Sequence, residues 1–392
     1  MKLFINYKID KLKIGMWALF LIGVILPIFY LFYAESLPKE FEMPALSTQK
    51  EHIWKQAIVP LPTNLQGDSK LVEKGKIIWF DTALSANKEG VCESCHRLEN
   101  NRPDVCFEVR SATCNTCHVA PIRGSGGDGK ALYQKSDGMN GNRNTLSVWN
   151  SRFNIGYGWE AGGFDLDSFI RSHLVDANIT GVAENTLLNK LNKSQEYRAL
   201  FSKDSQGSIT LDEVASALGE FVRTLVSVDS RFDLYISGDK GALSKQEQDG
   251  YEIFRKKGCV ICHNGVNIGG NSFKTFGVYK LHKLNDKIGW FKMLNSSFED
   301  ENLRREDTGA FKLTGLAGDK YLFRVASLRN VELNRPYFTQ GQVWSLEEAI
   351  RTMGRVQLGV ELTDEEVLAL RAFLGSLSGQ VPVIRAPFKK EF

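Results

Sequence analysis

A surplus of charge of either sign is missing from this chain. Its 392 residues set 49 Lys and Arg against 46 Asp and Glu, for a net charge of +3, and the basic residues are dispersed. That excludes the clustered positive footprint of a nucleic-acid-binding protein. The terminal Lys389 and Lys390 read as a solvated tail. Strand-like alternation of apolar and polar residues is scarce, so the expected class is mostly α. Histidine is scarce as well, at six in the whole chain. The 43% hydrophobic and 24% charged fractions are those of a globular protein rather than a disordered one. The length leads to an expectation of two domains once any anchor is set aside.

One long apolar run is present. Residues Ile14 to Ala34 carry no charge over 21 positions, enough to cross a bilayer core as a helix. Lys2, Lys8, Lys11 and Lys13 precede the run and Glu35 and Glu40 follow it. This orients residues 1–13 to the cytoplasm and the rest to the periplasm. A cleaved signal peptide is the competing reading. It would have a shorter apolar region ending in small residues, whereas Phe32 stands two places before Ala34. The expected location is therefore the bacterial inner membrane, single-pass, through an anchor at 14–34. Residues 35–68, with Pro38, Pro44, Pro60 and Pro62, read as a periplasmic linker.

Beyond the linker come three copies of Cys-x-x-Cys-His: CESCH at 92–96, CNTCH at 114–118 and CVICH at 259–263. A single copy also suits a redox dithiol or half of a zinc site. Three copies, each with its histidine and together using six of seven cysteines, point to covalent c-type haem. Cys92 and Cys95, Cys114 and Cys117, and Cys259 and Cys262 would bond the porphyrins, with His96, His118 and His263 as proximal iron ligands. Three haems are expected, and two at least. His52, His173 and His282, with Met43, Met139, Met293 and Met353, are left as further ligands; Cys106 receives no role. Four helix starts carry capping-box spacing: Thr210 with Glu213, Ser244 with Glu247, Ser345 with Glu348, and Thr363 with Glu366. The helix after Ser244 stops at Gly258, just before Cys259. Irregular backbone is expected over Asn264 to Asp307.

FDTALS at 80–85, GNRNTLSVWNSRFN at 141–154, DSRFDLY at 229–235, CHNGVNIGG at 262–270, DTGAFKLT at 307–314 and YLFRVASLRNVELNRPYF at 321–338 resemble the bacterial di-haem cytochrome c peroxidases. So does GQVWSLEEAIRTMGRVQLGVELTDEEVLALRAFLGSLSG at 341–379. That family includes the methylamine dehydrogenase maturation enzyme. The resemblance implies two cytochrome-c-like haem domains, here 69–228 (peroxidatic type, with two motifs) and 229–392 (electron transfer), behind the transmembrane helix. It implies Met353 as the distal ligand opposite His263, a pair that raises a haem's potential. It also implies a calcium ion at Asn144, Asn334 and Pro336, and Trp159 at or near the aromatic between two haems.

The chain departs from the family twice. An insertion separates the first two motifs, so which of them carries the family's first haem is open. The family's distal glutamine and glutamate, which move the proton needed to cleave O–O, fall by gapless count on Phe169 and Ile179. His173 and Asp176 are the candidate substitutes; both also suit a helix surface. Thr339 stands where many members have histidine. The expected activity is reduction of hydrogen peroxide with electrons from a quinol or a small cytochrome. An electron-transfer cytochrome on a peroxidase scaffold and an oxidative protein-maturation enzyme are the alternatives; Met353, a tyrosine in the maturation enzyme, opposes the last. Oligomeric state stays open, a homodimer included.

Overall fold

In a computed structural model, the described residues are 57–63, 65, 67–86, 92–98, 127–160, 162–201, 207–277, 307–382 and 384. The apolar run 14–34, the motif 114–118, Cys106, His52, His282, Met43 and Met293 lie outside them. No helix among the described residues is long and apolar enough to cross a membrane.

The first lobe is built from α1 (Ser69–Trp79), α2 (Cys92–Cys95), α3 (Leu166–Leu174), α4 (Glu184–Lys193), α5 (Gln195–Phe201) and α6 (Leu211–Arg223). The second contains α7 (Arg231–Ile236), α8 (Lys245–Lys256), β1 (Phe273–Thr275), α9 (Phe311–Thr314), β2 (Leu322–Arg324), α10 (Leu346–Met353) and α11 (Asp364–Ser376). The class is mostly helical, as the scarcity of alternation implies. The β1–β2 ladder, antiparallel with Phe273 opposite Arg324, lies partly in the stretch expected to be irregular. Each lobe has its own core. Ile78, Trp79, Leu98, Leu218 and Phe221 belong to the first, and Phe232, Phe254, Val260, Leu370 and Phe373 to the second. Each such side chain contributes about 1.5–3 kcal/mol by leaving water.

Local chemistry sets the helix starts. Thr210 with Glu213, Ser244 with Glu247, and Thr363 with Glu366 form complete capping boxes. Ser345 forms only half of one. It accepts from the Glu348 amide, while the Glu348 carboxylate bonds Arg355 at 2.6 Å. At the end of α8, Gly258 takes φ 89°, a left-handed turn that delivers the chain into Cys259.

The end of the expected linker is not free. Ile58 and Leu61 are each 5% exposed, and Ile58 belongs to the second core. The Ala57 carbonyl accepts from Gly265 at 2.6 Å, and the Leu61 amide donates to Asp233 at 3.3 Å. Ile58 in the second core and the Leu61 amide on Asp233 pin this segment down.

The lobes repeat one design. Gly75 of α1 lies against Ala217 and Phe221 of α6, as Gly250 of α8 lies against Ala369 and Phe373 of α11. Asn150 and Asn330 both take left-handed backbone, φ 62° and 59°, before a short 3₁₀ turn. Their side-chain amides both donate to Ser227 Oγ, each at 2.8 Å. Val228 and Gln380, which follow α6 and α11, pair with each other through two backbone hydrogen bonds. Tyr157 bridges Gly163 as Tyr337 bridges Val343, and α3 and α10 follow.

Candidate haem sites

In the second lobe the motif folds as a 3₁₀ turn, Cys259–Ile261, with the His263 amide bonded to the Cys259 carbonyl at 3.0 Å. Cys259, Cys262 and His263 line a cavity of about 250 Å³. Met353, at the end of α10 where the backbone loosens into a π turn (Gly354–Leu358), lines the same cavity. Its walls are largely apolar and include Phe254, Leu346, Ile350 and Leu370. Burial pushes the His263 pKa down to about 4; the carbonyls of Ile268 and Ala326 oppose this weakly, and none of them completes a hydrogen bond to its buried Nδ1. The imidazole is therefore neutral at physiological pH, as an iron ligand must be.

The residues present fit a haem. Arg324 is buried and lines the cavity; its Nε donates to the Gly158 carbonyl at 3.1 Å, and it has no carboxylate partner among the described residues. Burial alone lowers its pKa to about 10, so it stays charged. A buried unpaired guanidinium is costly, and a porphyrin propionate would supply its counter-charge. Lys274 lines the cavity too. Burial also pushes the Cys259 thiol up to about 11 and Cys92 up to about 12. A redox dithiol or zinc thiolate would need the opposite shift. Among the described residues no group of three His, Cys, Asp or Glu side chains could hold a metal ion.

The first motif is built the same way. α2 carries Cys92 and Cys95, and the His96 amide bonds the Cys92 carbonyl at 2.8 Å. Trp79 sits 6.1 Å from the His96 ring, where Phe254 sits 6.5 Å from that of His263. The Trp79 indole donates to Glu93 at 2.9 Å, and Glu93 also accepts from the Leu98 amide, which fixes the motif's exit.

On the segment expected to supply acid–base groups, Phe169 and Ile179 are half-buried. His173 Nδ1 lies 3.0 Å from the Phe169 carbonyl and its ring 4.3 Å from the Phe169 ring. Burial lowers the His173 pKa, opposed by that carbonyl and by Asp176. Asp176 Oδ1 accepts from the Asn178 amide at 2.8 Å. Trp159 lines the second-lobe cavity while its indole donates to the Asn144 carbonyl at 2.9 Å.

The residues expected to hold calcium come into one neighbourhood. Asn144 Nδ2 donates to the Pro336 carbonyl at 2.8 Å, and Gly127 packs against Asn334 Oδ1 and the Thr145 carbonyl. Beside them Asp307, 1% exposed, accepts from Arg143 at 2.9 Å and from Thr339 Oγ1 at 2.8 Å. Met139 is 61% exposed.

Arg324 and Asp307 escaped the sequence reading, because no short motif announces a buried charge. The repeated design escaped it too, though LDSFIRSH at 166–173 and LEEAIRTM at 346–353 carry its signal.

The family model for di-haem cytochrome c peroxidases matches residues 108–241, which include the second motif. The cytochrome c551 peroxidase of Pseudomonas aeruginosa is 32% identical over 90% of this chain and 93% of its own length. The methylamine utilization protein MauG of Methylophilus methylotrophus is 26% identical over 71% of this chain and 80% of its own. Among solved structures, a MauG-like protein associated with microbial copper homeostasis shares the fold, with TM-score 0.63 at 21% identity over 89% of this chain and 98% of that one. With a 32% identical peroxidase matched along nearly its whole length, and both lobes built around haem-attachment motifs, the chain belongs to the di-haem cytochrome c peroxidase family.

Proposed function

We propose that this chain is a membrane-anchored, periplasmic multihaem cytochrome c peroxidase. It would reduce hydrogen peroxide to two waters, taking two electrons from a quinol or a small cytochrome and two protons from solvent. The observation that carries the reading is His263 and Met353 lining one apolar cavity with Cys259 and Cys262, in a chain whose relatives are named peroxidases. Bound haem supplies the electron storage and the iron chemistry. An imidazole opposite a thioether favours the reduced state, so we assign this site the stored electron.

The chain's own side chains do the rest. Trp159 joins the cavity wall to the Asn144 loop of the first lobe, and we assign it the electron path between the lobes. Neither Phe169 nor Ile179 carries a proton, so we assign proton delivery to Asp176 on the same segment. Asn144, Asn334 and Pro336 would bind the calcium ion that stiffens this junction, oxygen donors being suited to a hard cation. The motif at 114–118 would hold a third haem, and residues 14–34 would anchor the chain.

The test is to mix fully reduced holoprotein with hydrogen peroxide in a stopped-flow spectrometer. Two haem electrons should be consumed per peroxide, and Asp176→Asn should slow the step by about 10²–10⁴-fold. A reduced protein inert to peroxide leaves the second reading, an electron-transfer cytochrome, which the apolar pair Phe169 and Ile179 favours.

A further inference from the structure

We propose that His173 is the distal iron ligand of the haem attached at Cys92, Cys95 and His96, the place that Met353 takes for the haem at His263. The inference rests on haem binding in both lobes and not on peroxide turnover.

The repeat carries it. Aligned on the left-handed Asn150 and Asn330, on the Tyr157 and Tyr337 bridges, and on the helix caps Asp165 and Ser345, α3 and α10 match residue for residue without a gap. Leu166 matches Leu346, Ile170 matches Ile350, Arg171 matches Arg351, Ser172 matches Thr352, and His173 falls on Met353. The match is three-dimensional. Arg171 pairs with Asp212 at the start of α6 at 2.8 Å, and Arg351 pairs with Asp364 at the start of α11. Both helices are thus held in the same register against the helix that also packs on the proximal side. There α1 meets α6 through Gly75, as α8 meets α11 through Gly250. The aromatic beside each proximal histidine, Trp79 or Phe254, keeps the same spacing. If Met353 faces the iron opposite His263, the same construction turns residue 173 toward the iron opposite His96.

The side chain is prepared for that task. A carbonyl oxygen only accepts, so the contact with Phe169 makes Nδ1 the donor and leaves the Nε2 lone pair free. An iron-bound imidazole characteristically donates its other N–H to a carbonyl, which fixes tautomer and ring orientation. The Phe169 ring, itself stacked on Tyr157 at 5.7 Å, holds the imidazole plane. The substitution of phenylalanine at 169 then has a role of its own: it buttresses a ligand.

The test is low-temperature electron paramagnetic resonance with near-infrared magnetic circular dichroism on the oxidised holoprotein. The parent should show a low-spin haem with two imidazole ligands. His173→Ala should convert one haem per chain to high spin, leave the His263/Met353 signal unchanged, and regain low spin on adding imidazole. His173→Met should stay low-spin and raise that haem's midpoint potential, which also covers failure of the alanine variant to fold. A parent without a bis-imidazole haem, or a His173→Ala spectrum identical to the parent's, overturns the inference. Neither readout uses peroxide, so a chain inert to peroxide overturns the peroxidase reading and leaves this one standing.

Discussion

Gly250→Ala should loosen the second lobe and move His263 away from Met353 across the cavity they line. A β-carbon at position 250 would lie 2.0 Å from the Ala369 carbonyl oxygen and 2.8 Å from Phe373 Cβ. Because real contacts of this kind stay beyond 3.0 Å, α8 and α11 must part by about 1 Å. Phe373 cannot absorb the shift cheaply: it is fully buried and touches Phe232, Tyr251 and Phe254 at 5.1, 5.3 and 5.2 Å between ring centroids. Overpacking of this sort costs about 1–3 kcal/mol, and separating the helices also thins the apolar contact around them. Alanine returns up to about 1 kcal/mol of helix propensity, so a net loss near 1 kcal/mol is expected. That corresponds to a Tm lower by about 2–4 °C. Since α8 runs directly into Cys259 and α11 lies beside α10, the same displacement moves His263 away from Met353. Calorimetry and the near-infrared band of thioether-to-iron ligation would measure the two effects. A variant as stable as the parent, with that band intact, would refute the close helix approach. Gly75→Ala should behave alike in the first lobe, where the β-carbon would meet Ala217 O at 2.0 Å.

Met353→Ala should lower the highest haem potential by on the order of 0.1 V, within the ≈ 0.8 V span set by axial ligands; an unchanged redox titration would remove Met353 from the iron. The pyridine haemochrome assay should return three haems per chain and two in Cys114→Ala. A parent value of two, unchanged in that variant, would show the motif at 114–118 to be empty.

Much of this protein is legible locally. Haem attachment is a matter of five consecutive residues, so CESCH and CVICH declare themselves whatever surrounds them. Helix starts depend on pairs three residues apart, and three of the four expected boxes close as read. The fourth, at Ser345, fails because Arg355, seven residues beyond Glu348, competes for its carboxylate. What the chain hides is set by long-range burial. Ile58 and Leu61 look like linker residues because prolines flank them, yet Ile58 joins the second core and the Leu61 amide bonds Asp233, 172 residues away. Arg324 looks like any strand arginine until the cavity around it is known. The match of His173 to Met353 is hidden because it lies 180 residues away in the chain's own second half.

The hydroxyl of Ser227 is shared between Asn150 and Asn330, and the backbone of Val228 is paired with that of Gln380. Neither half therefore contains all the partners for its own terminus. A chain severed just after Val228 would leave two fragments, each with an unfinished seam of the same shape. Such fragments, made together in one cell, should reassemble through these bonds.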